Sequence, residues 1–126
     1  MRNKAQDKQK NLVGEIYHNF HDLFSDLLAP LRNLLPSDTE IVPVMKYEDA
    51  IRYFVTDRPK DPKIKKGIML RQRHRQGQQF MQSFLDKDNQ LVCQPDGIPY
   101  GRSLVVKQFD EELQEAFGDQ DLIIVE

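Results

Sequence analysis

Between residues 12 and 35 apolar side chains recur at alternating steps of three and four: Val13, Ile16, Phe20, Leu23, Leu27 and Leu34. Leu12, Tyr17, Phe24, Leu28, Leu31 and Leu35 widen the stripe. This spacing requires one broad helical face to be laid against something apolar. At about 1.5 Å per residue the apolar part spans roughly 36 Å, the width of a small domain, with room for the helix to begin as early as Ala5. Pro30 lacks an amide donor and its ring crowds the preceding turn, so a kink or break is expected near Ala29.

Downstream, the pattern shortens. After Pro36, residues 37–39 read as a turn, and residues 41–45 as a strand that Pro43 demotes to an edge or a bulge. Tyr47, Ala50, Ile51, Phe54 and Val55 have helical spacing, although residues 51–56 are also rich in strand formers. The short helix is preferred. Residues 57–66, with Pro59, Pro62 and charges at most other positions, read as a solvated loop. Residues 68–73 form a strand. Residues 79–85, with Phe80, Gln82 and Phe84 on one face, and residues 91–94 form a hairpin around the turn at 86–89. Residues 103–107 read as the next strand. Phe109, Leu113, Ala116 and Phe117 mark a helix with acidic residues in its first turn and Gly118 as its stop. Residues 122–125 close the chain as an apolar strand.

The order has no repeat and no regular strand-helix alternation. It predicts an α+β fold: a long N-terminal amphipathic helix, kinked near Pro30, and a C-terminal helix on one face of a mainly antiparallel sheet of four to six strands. The last strand is expected to return parallel to a neighbour inside the sheet, which would account for its run of apolar residues. With 126 residues, of which 39% are hydrophobic and 30% charged, one core suffices. The chain is expected to be a single domain over residues 1–126, with 1–10 as a frayed extension of the first helix.

Composition narrows the chemistry. A lone Cys93 cannot build a disulfide framework or a zinc site by itself, which suits a reducing, cytoplasmic setting. No uncharged stretch approaches the roughly 18 residues of a membrane span, so no membrane partner is expected. Glu15, His18 and Asp22 share the polar side of the first helix. They lack the second Glu-x-x-His pair of a carboxylate-bridged metal centre, and a water-facing helix surface explains them better. The carboxylates at 86 and 88, 110–112, and 119 and 121 each have a turn or a helix start as their explanation, and Cys93 sits in an alternating strand as a small buried thiol. No catalytic motif or phosphate loop is present, so no cofactor and no catalytic residue is assigned, and an enzyme is the less favoured class. A metal-dependent hydrolase or nuclease ranks last.

Charge is more informative. The formal net charge is -2, from 18 basic and 20 acidic side chains. That near-neutrality is a cancellation: residues 56–76 carry eight basic against two acidic side chains, and residues 77–126 three basic against ten acidic. If the strand of 68–73 extends to Arg75, period-two geometry places Arg71, Arg73 and Arg75 on one face as a fork-like surface for carboxylate or phosphate. The turn 96–102 offers Tyr100 and Arg102, residue types common at binding hot spots. The broad helical stripe has enough area to pack on the chain's own sheet and still offer Leu27, Leu31 or Leu35 to a neighbour, the alternative being that all of it covers the sheet. These features point to a protein-protein interaction or regulatory module that self-associates, as a homodimer, through the first helix and its segregated charges. The alternative is a nucleic-acid-binding regulator using residues 58–75, from Arg58 and Lys60 to Arg75; against it, the segment has no interleaved aromatics.

Overall fold

The computed structural model describes residues 20–126, with all side chains from residue 22 onward except those of 37–39. The apolar stripe before Phe20, with Glu15 and His18, lies outside the described residues. The described chain is α+β. It runs α1 (Phe20–Leu34), β1 (Ser37–Met45), α2 (Tyr47–Thr56), β2 (Lys66–His74), β3 (Gly77–Leu85), β4 (Gly101–Phe109), α3 (Glu111–Phe117) and β5 (Leu122–Val125). The five strands form one sheet in the order β1-β4-β3-β2-β5, and every neighbouring pair is antiparallel except β1 with β4.

Helices cover both faces of this sheet, which corrects the expectation of one. The reason lies in the central strands. β2 turns Ile68 and Leu70 one way and Met69 the other, while β3 turns Met81 and Leu85 one way and Phe80 and Phe84 the other. A sheet apolar on both faces needs two covers. Leu27, Leu31 and Leu35 pack on Ile68, Leu70, Met81, Leu85 and Leu122. On the opposite face Ala50 and Phe54 of α2 and Leu113 and Phe117 of α3 meet Met69, Phe80, Phe84, Leu104, Val106 and Phe109. Phe80 stands edge-on to both Phe109, at 5.6 Å, and Phe117, at 6.4 Å.

Pro30 lies inside α1 without ending it. The missing donor leaves a single carbonyl short, while the Leu35 amide still donates to Leu31 O at 3.1 Å and both leucines are held by the sheet. Residues 37–39 belong to β1 and not to a turn: Ser37 pairs with Ser103, and a register irregularity separates it from Ile41. β1 lies at the sheet edge, the place in which a strand tolerates Pro43.

The proposed hairpin of 79–85 with 91–94 also fails. A strand has two edges, and β2 and β4 occupy both edges of β3, so the return segment makes only the isolated bridges Leu85 to Leu91 and Cys93 to Pro99. The turn itself forms as expected. Asp86 accepts from the amides of Asp88 and Gln90, and these hydrogen bonds, Gln90's first, hold its carboxyl below the usual range. Cys93 is only half-buried. Finally, β5 is an antiparallel edge strand, not an internal parallel one. Its apolar run is explained by the two helical layers, since Leu122 joins the α1 core while Ile123 and Val125 pack toward the other.

One carboxylate joins two helices. Asp110 is the N-cap of α3 and accepts from the Leu113 amide at 2.9 Å. The same carboxylate takes the Tyr47 amide at 3.1 and 3.2 Å, at the start of α2, whose own N-cap Lys46 provides no side-chain bond. Asp110→Ala should therefore cost more than one ordinary cap, about 2 kcal/mol or above in urea unfolding, with Asp110→Asn intermediate. A loss below about 0.5 kcal/mol would show that the shared cap contributes nothing. Among the described residues no helix is long and apolar enough to cross a membrane.

Candidate interaction cleft at the hairpin tip

β2 and β3 are joined by a tip of two residues, Arg75 and Gln76, closed by the His74 to Gly77 pair. The Gln76 amide donates to His74 Nδ1 at 3.1 Å. Gly77, at φ 142°, lies so close to β4 that a Cβ there would stand 2.3 Å from Val106 O and 3.1 Å from Lys107 Cα. That approach, open only to glycine, sets Lys107 beside the tip. Arg73, Arg75 and Lys107 are exposed, and none forms an ion pair among the described residues.

A cleft of about 360 Å³ lies between Lys107 and α3. Gln78, Lys107 and Gln108 form one wall, Phe109 contributes an apolar side, and Gln114 of α3 with Gly118, the residue that caps it, forms the other. Gln114 is fixed by its Nε2 bond to Phe109 O at 2.8 Å. Arg71 also reaches the cleft, but its guanidinium is committed: Nε donates to Asp121 Oδ1 at 2.9 Å and Nη2 to Gly118 O at 3.2 Å, with the group 4.5 Å above the Phe117 ring. Beyond the α3 wall, Glu111, Glu112, Glu115 and Asp119 are exposed and without an ion pair among the described residues. The cleft thus lies between strands that carry exposed basic residues and a helix that carries exposed carboxylates.

The residues singled out from sequence are dispersed. Arg71 and Arg73 do share a face of β2, but Arg75 lies in the turn and Arg71 is already paired, so no three-pronged strand fork forms. The basic segment is divided, with residues 58–66 at the opposite end of β2 from Arg73, about 23 Å away at strand rise. There Lys66 Nζ donates to Asn89 Oδ1 at 2.6 Å and Arg58 Nη2 to Ile64 O at 2.9 Å. Leu27, Leu31 and Leu35 are 5%, 0% and 4% exposed, held against the chain's own sheet. Tyr100 packs on the α2 and α3 core, and its carbonyl accepts from Ser83 Oγ. Arg102 lies four residues before Val106 on β4, about 13 Å from the tip. Sequence reasoning missed Lys107, whose only signal was a charged residue following Val106 near the end of a strand. Among the described residues no group of three or more His, Cys, Asp or Glu is placed to hold a metal ion.

Compared with known proteins, the chain matches no family model, no curated protein and no solved structure at a significant level.

Proposed function

We propose that this chain is a protein-interaction module that pairs with a second copy of itself through the hairpin-tip cleft. The observation that carries the reading is a cleft set between basic strand residues and an acidic helix: Lys107 lines it and Arg73 pairs with its lining residue Gln78, while α3, whose Gln114 lines the far wall, carries the exposed Glu111, Glu112 and Glu115. A two-fold axis between adjacent complementary patches brings each patch onto its opposite in the partner, so one surface satisfies both chains. The division of the basic segment between two ends of the sheet favours this reading over a nucleic-acid groove, which needs a continuous cationic track.

Sedimentation equilibrium at micromolar concentration should show a dimer that weakens as salt rises, because the rim charges are exposed and screened. Arg73→Glu with Arg75→Glu should raise the dissociation constant by about 10-fold or more, and adding Glu112→Lys with Glu115→Lys should restore much of the loss. A wild-type monomer throughout, or reversal variants that associate as before, would overturn the proposal. Steeply salt-dependent binding of a DNA or RNA duplex by monomeric protein would replace it with the nucleic-acid reading.

A further inference from the structure

We propose that Arg102 is the receptor for a carboxylate monoanion at a second site, on the α2 face of the sheet and separate from the hairpin-tip cleft. The guanidinium is held from two directions. Its Nε donates to Gln82 Oε1 at 2.7 Å, and the group lies 4.2 Å above the Tyr53 ring, which is itself stacked on Phe84 at 6.0 Å. Gln82 is fully buried, and its Nε2 donates to Ala50 O at 2.8 Å, so both ends of its amide are used. Placing a glutamine in an apolar layer is costly unless both ends are bonded. Here the arrangement fixes the orientation of one arginine.

What is left over is the end of the fork. Among the described residues neither Nη1 nor Nη2 of Arg102 has a hydrogen-bond or ion-pair partner. Two parallel N–H groups on a planar, immobilised cation match the two oxygens of a carboxylate. Holding the guanidinium beforehand removes most of the side-chain ordering that an exposed arginine would undergo on binding. Two acidic residues temper the positive charge of the site. Asp57 and Asp49 act electrostatically on Arg102 without touching it: Asp57 accepts from Thr56 Oγ1 at 2.8 Å and Asp49 is bridged to Arg52 at 2.8 Å. Their negative charge offsets part of the attraction that Arg102 would exert on a dianion, which suits the flat two-oxygen edge of a carboxylate monoanion. Burial lowers the proton affinity of Arg102, opposed by Tyr53, Asp57 and Asp49, and raises that of the Tyr53 hydroxyl.

The test uses acetate as probe and the Arg102 Nε–Hε resonance as readout, with Arg73 as the exposed internal control. Acetate should shift the Arg102 signal saturably and leave Arg73 with a weak, linear response. Arg102→Lys keeps the charge and loses the fork, and should weaken acetate binding, followed on neighbouring amides, by about 10-fold. Gln82→Met, if its amide spectrum stays native, should weaken it by a similar factor. No saturable shift at Arg102, unchanged binding in Arg102→Lys, or tighter binding of inorganic phosphate than of acetate would each overturn the assignment.

Discussion

Leu31→Asp should leave the chain unfolded, with collapsed amide dispersion and no cooperative thermal transition. Leu31 is wholly buried, and its core neighbours are Ile68, Leu70, Met81, Leu85 and Leu122, with no cation among them. An uncompensated carboxylate there costs several kcal/mol, on top of about 2–5 kcal/mol for the lost packing. The sum rivals the whole stability of an ordinary domain, about 5–15 kcal/mol. Leu31→Ala should therefore fold with a lowered melting temperature, while Leu34→Asp, at a position 46% exposed on the same helix, should change stability by no more than about 0.5 kcal/mol. A soluble, well-dispersed Leu31→Asp would mean that α1 is dispensable as a cover and that this sheet face is available to a partner.

Gly101→Ala is expected to be the most damaging single methyl group in the chain. Gly101 has φ 150°, and a Cβ there would stand 2.2 Å from Gln82 O and 3.1 Å from Ser83 Cα. Both contacts are backbone in the adjacent strand, so no side-chain rotation relieves them, and β4 must move away from β3. Strain of about 1–3 kcal/mol adds to the lost pairing, for a total of roughly 3 kcal/mol or more in chemical denaturation. Gly97 is the internal comparison. Its φ of 89° is also positive, but nothing lies within 4 Å of the added carbon. Gly97→Ala should cost about 1–2 kcal/mol from backbone conformation alone. Equal losses at the two positions would show that the close approach of β3 and β4 is not what Gly101 supplies. Because Arg102 and Gln82 flank that contact, Gly101→Ala should also abolish the saturable acetate response.

Several features were legible before any coordinates. The helical spacing at Tyr47, Ala50 and Phe54, the stop at Gly118 and the edge position implied by Pro43 all recur in the structure, because each depends on residues within one or two turns of chain. The hairpin partner of β3 was misread for the opposite reason. The 86–89 turn has strong local chemistry, yet β2 and β4 offered nine-residue strands for both edges of β3, and a short return segment could not displace them. Of the two sites, Arg102 was visible as a residue type on a turn, but its anchor Gln82 was not distinguishable from any polar residue on an alternating strand. Lys107 was invisible, since only the approach of Gly77 to Val106 brings it to the tip.

The sequence by itself determined most of the helix and strand segments, though not the start of β1 or the fate of residues 91–94, together with the apolar stripe of α1 and the separation of basic from acidic blocks, since these are properties of spacing and composition along the chain. Tertiary structure alone decided the strand order, the cover of both sheet faces, the burial of Leu27, Leu31 and Leu35, and which charges finally adjoin. The physical reason is that strand pairing and helix docking are chosen among non-local alternatives by the burial of the whole core, whereas exposed charges, screened over about a Debye length, go wherever that packing carries them. A basic segment continuous in sequence thus became two groups about 23 Å apart, and one of them acquired Lys107 and an acidic neighbour, α3.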